Sequence, residues 1–140
     1  FWKIALKPGK PLAVGRVGNA LFFGLPGNPV STIITYLLFV APTIDQLCGM
    51  PDSTPHRLPA TLHGTIEHHQ GRREYVRGIF RMNGNRITVS PNGDQSSNRL
   101  ASFANANCLI VVPEEVDGIK QGSIVDIVLL PTDRAHMWAG

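Results

Sequence analysis

The sequence predicts an α/β segment followed by a small all-β barrel domain. Three observations carry that prediction: one helix with clear start and stop signals over residues 28–48, strand-like runs recurring from 58 to 130, and a proline-broken stretch between them at 50–55. A chain of 140 residues, 43% hydrophobic and 16% charged, has the length of one ordinary domain or two small ones and is not a disordered tail. The expected division is 1–49 for the α/β segment, 50–56 for a linker, 57–131 for the barrel and 132–140 for a frayed tail.

In chain order, residues 2–6, 12–17 and 20–25 read as three strands, separated by Lys7-Pro8-Gly9-Lys10-Pro11 and by Gly18-Asn19. Leu25-Pro26-Gly27 then punctuates sharply. Asn28 fits an N-cap, Pro29 the first helical position and Gly49 the site just past the helix end. Pro42 has no N–H to donate, so it should kink or split the helix. Val30, Ile33, Ile34, Leu37, Leu38, Phe39 and Val40 cover most of its faces, which implies burial on several sides. Beyond the linker, strands are expected at 58–67, 74–82, 86–90, 108–112 and 123–130, with Asn83-Gly84-Asn85 as a hairpin turn. Residues 99–106 read as a short helix plugging one barrel end, and 114–122 as the last connection.

Charge and composition exclude several classes. Thirteen Lys and Arg against ten Asp and Glu leave +3, too little to imply a nucleic-acid partner; Tyr75 and Phe80 are the only stacking rings near the basic run 72–86. The longest apolar stretch, 33–41, is interrupted by Thr35 and Tyr36 and stopped by Pro42, short of the roughly 20 residues of a membrane span, so no membrane partner is expected. The opening residues have neither an initiator Met nor a signal-peptide pattern, as expected of a piece of a longer polypeptide. Cys48 and Cys108 form no CxxC, which suits a reducing, cytoplasmic location with both thiols packed. No acidic residue precedes Asp45, whereas Lys3, Lys7, Lys10 and Arg16 do, so this end should attract anions.

Three segments offer chemistry. Lys7-Pro8-Gly9-Lys10-Pro11 sets two ammonium groups around a glycine with prolines restricting the backbone, which makes either a rigid anion clamp or a turn with solvated lysines. Pro26-Gly27-Asn28-Pro29-Val30-Ser31 either presents a helix N-terminus and the Ser31 hydroxyl to an oxyanion or is a tightly capped structural start; it is not a Walker loop. On the strand at 74–82, Arg73, Tyr75 and Arg77 share one face and Glu74 and Val76 the other, and Arg77 beside Gly78 is placed to reach a substrate anion. The histidines (His56, His63, His68, His69 and His136) read as exposed strand-end residues, and no metal site is expected in this segment.

Taken together, Trp2-Lys3-x-Ala5-x-Lys7-Pro8-Gly9-Lys10-Pro11, Phe22-Phe23-Gly24-Leu25-Pro26-Gly27-Asn28-Pro29-Val30-Ser31 and Asn105-Ala106-Asn107-Cys108-Leu109-Ile110-Val111-Val112-Pro113 resemble the C-terminal third of the molybdopterin molybdenumtransferase family, MoeA and the gephyrin E-domain. The resemblance spans almost the whole chain. It implies that 1–49 end a molybdopterin-binding α/β domain and that the barrel is the small C-terminal domain. It further implies a transferase of molybdenum cofactor biosynthesis that inserts molybdate into adenylyl-molybdopterin and releases AMP. Magnesium would assist, with its ligands upstream of this segment, and the full-length protein would be a homodimer. Carried over by residue, Lys7, Lys10, Pro11, Ser31, Arg77 and Ser97 match molybdate-binding positions, with Ser96 replacing Ser97 under a one-residue shift. Lys3, Lys7, Pro26 and Pro29 match catalytic positions. A non-catalytic interaction or scaffolding module of the same family is the alternative.

Overall fold

Apolar alternation and one glycine turn build a first, small sheet. In the computed structural model, which describes residues 2–3, 6–7, 12–51, 54–93, 95 and 100–131, β1 (Trp2–Lys3), β3 (Ala13–Val17) and β4 (Ala20–Gly24) pair antiparallel in the order β1-β3-β4. Gly18, at φ +59°, supplies the left-handed residue that the two-residue β3–β4 turn needs. The single strand expected at 2–6 is two short ones, because β2 (Leu6–Lys7) leaves this sheet and pairs parallel with a barrel strand.

The helix begins as its sequence dictates and is broken where its proline dictates. Asn28 caps α1 (Pro29–Thr35), with Pro29 in the first turn. A π-helical turn (Tyr36–Val40) follows, then α2 (Ala41–Leu47). A proline at 42 clashes with the carbonyl four residues back, and the wider turn accommodates it: the Ala41 N–H donates to Tyr36 O, five residues back. By length and composition the run 29–47 is long and apolar enough to cross a membrane, more than the 33–41 stretch suggested. Its first half, however, is a core element, with Val30 and Ile34 buried and Ile33, Leu37, Leu38 and Phe39 packed against the same cluster. Burial on several sides does not extend along it, since Tyr36, Ile44 and Leu47 are exposed.

Five strands close the barrel: β5 (Arg57–Leu62), β7 (Arg73–Asn83), β8 (Arg86–Pro91), β9 (Cys108–Val112) and β11 (Ile124–Leu129). They run in the cyclic order β7-β8-β5-β11-β9, closed by β7–β9, and β2 lies alongside β7. All these ring pairings are antiparallel except β5–β8. The strand expected at 58–67 is interrupted at Gly64, whose φ of +99° turns the chain, so its end is a separate β6 (Ile66–Glu67) clipped to β10 (Gly118–Ile119). Inside the barrel Leu62, Val76, Val89, Ile110, Val112 and Ile127 form one core cluster. On its outer face Tyr75, Leu109, Val111 and Val128 form a second with Val30 and Ile34 of α1. Strand β9 serves both and is buried along its whole length. The short helix α3 (Ala101–Ala104) belongs to the outer cluster through Phe103; it does not plug a barrel end.

Removing buried apolar volume from β9 is expected to cost more than uncapping the helix. Ile110→Ala should lose about 2–5 kcal/mol and Asn28→Ala about 1 kcal/mol, both read from urea unfolding midpoints.

Candidate functional site

Parallel pairing of β2 with β7 sets Lys7 opposite Glu74. Paired residues project to the same side of a sheet, and the two side chains meet: Lys7 Nζ is 3.3 Å from Glu74 Oε1. The second carboxylate oxygen, Oε2, accepts from His68 Nδ1 at 2.9 Å. Exposure separates the three, at 58% for the Lys7 side chain, 8% for Glu74 and 3% for His68. A buried carboxylate is costly unless both oxygens are engaged, and here each has one donor. His68 Nε2 is buried with no hydrogen-bond partner among the described residues. Burial of His68 corrects the expectation of exposed strand-end histidines; His56, His63 and His69 are exposed, and His136 lies outside the described residues. Sequence reasoning missed both Glu74 and His68 as site residues. The available signal was a carboxylate on the same strand face as Val76, a face that the barrel buries.

Arg77 takes the opposite face of β7. It pairs with Leu109 in register, two residues beyond the Tyr75–Val111 pair of the outer cluster, and is only 2% exposed. Its backbone is gripped by an amide side chain: Arg77 N–H donates to Gln95 Oε1 (2.9 Å), while Gln95 Nε2 donates to Arg77 O (3.1 Å) and to Asn92 O (2.7 Å). Asn107 does the same for Phe80. Beside it, a Cβ at Gly78 would stand 3.0 Å from Ile110 Cδ1 and 3.1 Å from Ser90 O, so a side chain there would require its neighbours to shift. Arg77 is thus locked in the wall of the barrel, and the alternation of β7 puts its side chain on the other face from the Lys7–Glu74 pair.

The helix start uses its own donors. Asn28 Oδ1 accepts from the N–H of Val30 (3.0 Å) and of Ser31 (3.3 Å), the Thr32 N–H goes to Asn28 O (2.9 Å), and Pro29 has none. Thr32 Oγ1 donates to Pro26 O, pinning the buried Pro26 carbonyl to the helix. The motif thus forms an Asn-capped helix start. Ser31 is buried and Pro29 exposed. Lys3 contributes backbone pairing with Ala13. Lys10, Pro11, Ser96 and Ser97 lie outside the described residues. Of the predicted site residues that are described, Lys7 pairs with Glu74 and Arg77 lies on the opposite face of β7. Among the described residues no three His, Cys, Asp or Glu converge as metal ligands.

Residues 59–130 match the family model of the MoeA C-terminal region (domain IV). The chain belongs to that family. Among curated relatives, the molybdopterin molybdenumtransferase of Haemophilus influenzae is 39% identical over 129 residues, which is 91% of this chain and 32% of the relative. That of Staphylococcus aureus strain COL is 32% identical over 136 residues, 97% of this chain and 32% of the relative. The chain spans about a third of the length of these relatives. The crystal structure of the molybdopterin biosynthesis MoeA protein from Pyrococcus horikoshii OT3 superimposes with a TM-score of 0.74 at 25% identity, covering 93% of this chain and 32% of that one. A molybdenum cofactor biosynthesis protein from Pyrococcus furiosus gives the same score and identity, with 93% and 45% coverage.

Elsewhere on this MoeA domain, a cleft of about 590 Å³ runs between the helix and the barrel, lined by Leu38, Phe39, Arg57, Arg73, Tyr75 and Glu114. No predicted site residue among those described lines it. Arg73 Nε donates to Glu114 Oε2 at 3.1 Å; desolvation is the largest single influence and opposes the arginine's charge, but the hydrogen bond and charge of Glu114, joined by Tyr75, together outweigh it and raise its pKa. Tyr75 is buried in the outer cluster, so it offers no stacking platform. Cys48 is exposed, contrary to the expectation that both thiols pack, because the helix end that carries it is uncovered. Cys108 sits in the barrel core, where burial disfavours the thiolate and pushes its pKa up to about 12. Since only the thiolate reacts, a thiol reagent at pH 8 should label Cys48 alone in the native protein and both cysteines after denaturation, as mass spectrometry would show.

Proposed function

We propose that this chain is the C-terminal part of a molybdopterin molybdenumtransferase, acting in the cytoplasm as a homodimer in molybdenum cofactor biosynthesis. The whole enzyme inserts molybdate into adenylyl-molybdopterin and releases AMP. One observation carries the reading: similarity to relatives of that name runs through 91–97% of this chain and takes in the segment before the barrel as well as the barrel itself. Residues 1–49 would then close the molybdopterin-binding α/β domain.

On this reading Lys7, Lys10, Ser31, Arg77 and Ser97 hold molybdate, with Pro11 alongside, and Lys3, Pro26 and Pro29 shape the site. The chemistry suits these residue types, because ammonium, guanidinium and hydroxyl donors make charge-assisted hydrogen bonds to a tetrahedral dianion. Their contribution is positional: they bring molybdate up to the dithiolene sulfurs, and nothing in the described residues serves as a general base. Of the two cations described, Lys7 is the one an incoming anion meets, whereas Arg77 supplies a fixed, poorly screened charge from within the wall. Magnesium is the assisting cation on this reading. Its ligands belong upstream.

A second reading, as an interaction module, has its own support in the exposed apolar residues Val17, Leu21 and Phe22 on the β3–β4 hairpin and Tyr36, Ile44 and Leu47 on the helix. Neutralising the lysines separates the two, since partner binding should survive it and catalysis should not. Burial makes Arg77→Ala a poor probe, because truncation leaves a cavity in the wall. Lys7→Ala with Lys10→Ala in the full-length enzyme is expected to cut molybdate insertion by about 100-fold or more while leaving the unfolding transition in place. Unimpaired insertion in a purified assay with adenylyl-molybdopterin would refute the catalytic assignment.

A further inference from the structure

The Lys7 ammonium already has an anionic partner. Glu74 lies on the buried face of β7 and offers Oε1 to Lys7 at 3.3 Å, while Oε2 is bound by His68 Nδ1 at 2.9 Å. The two partners differ in freedom. His68, with 3% of its side chain exposed, holds the carboxylate from within the protein, whereas Lys7, at 58%, is a flexible chain on a two-residue edge strand. In this arrangement the carboxylate is the fixed member of the ion pair and the ammonium the movable one. Arg77 occupies the opposite face of β7, so a dianion contacting both cations requires the lysine to leave Glu74 and swing around the edge of β2.

We infer that Glu74 competes with the substrate anion for the Lys7 ammonium and thereby sets the affinity of the site for molybdate. This rests on the reading of Lys7 as a molybdate ligand. Glu74 is an affinity-determining residue that acts through Lys7, and it does not touch the reacting atoms. Its charge has two effects of the same sign: it occupies the amine in the unliganded protein, and it repels an incoming dianion. A site built this way gives up affinity and gains release, because the carboxylate recaptures the lysine as the anion departs. His68 keeps Glu74 from following the lysine outward.

The test is calorimetric titration of the full-length protein with sodium molybdate. Glu74→Gln keeps the side-chain shape and removes the charge, and it is expected to tighten molybdate binding about three- to ten-fold, as loss of one partly exposed ion-pair competitor should. In a Lys7→Ala background the same change should have no such effect, which a merely structural role for Glu74 would not reproduce. If Glu74→Gln abolishes the cooperative unfolding transition, Glu74→Asp takes its place; it withdraws the carboxylate by one methylene and should tighten binding to a smaller extent. Unchanged or weaker binding in the folded variant overturns the inference while leaving the Lys7 assignment intact, provided that Lys7→Ala alone weakens binding. If Lys7→Ala alone leaves the affinity unaltered, both the assignment and the inference fall.

Discussion

Closure of the ring through the β7–β9 pairing is the constraint from which the rest of the structure follows. Closing a five-stranded sheet gives every strand an inside and an outside, and strand geometry then sends successive side chains alternately to each. On β7 that alternation distributes Glu74 and Val76 to one face and Tyr75 and Arg77 to the other. Its partner β9 has to be apolar on both faces, because the interior cluster claims Cys108, Ile110 and Val112 while the outer cluster, under α1, claims Leu109 and Val111. A strand covered twice reads as the unbroken apolar run Cys-Leu-Ile-Val-Val, with no period of two to mark it.

Features decided within a few residues were legible in the sequence. Asn28 and Pro29 start the helix, Gly18 and Gly84 turn their hairpins, and the break at Pro42 is where the π-helical turn forms, because each is set by local backbone chemistry. Features decided by distant contacts were not. Nothing in residues 58–67 says that the strand must turn at Gly64 to meet β10 half a barrel later. The run at 99–106 has the look of a plug, yet Phe103 fits against α1 on the outer face. Likewise, no local pattern marks Gln95 and Asn107 as the amides that each bond both backbone groups of a distant β7 residue, Arg77 and Phe80.

The helix shows how far an apolar pattern underdetermines its surroundings. Seven apolar residues between Val30 and Val40 predict a covered element, and on the barrel side this is correct. Across the π-helical turn the phase of the pattern shifts, since five residues are used where a regular turn uses fewer, and beyond it Ile44 is exposed. Leu47 is left 71% exposed.

Charge zoning along the chain misleads for a related reason. The first 44 residues contain no carboxylate, and in one dimension that makes a pure attractor for anions. In three dimensions the edge strand β2 carries Lys7 to β7, which brings Glu74 to it from far along the sequence. The net charge of the Lys7–Glu74 pair is zero, and the field an approaching anion feels there is that of a dipole, weaker and shorter in range than that of a lone cation. An exposed lysine on an acid-free segment is thus a poor measure of anion affinity. The buried carboxylate behind the lysine has to be counted with it, together with the buried histidine that holds that carboxylate and that no local pattern marks.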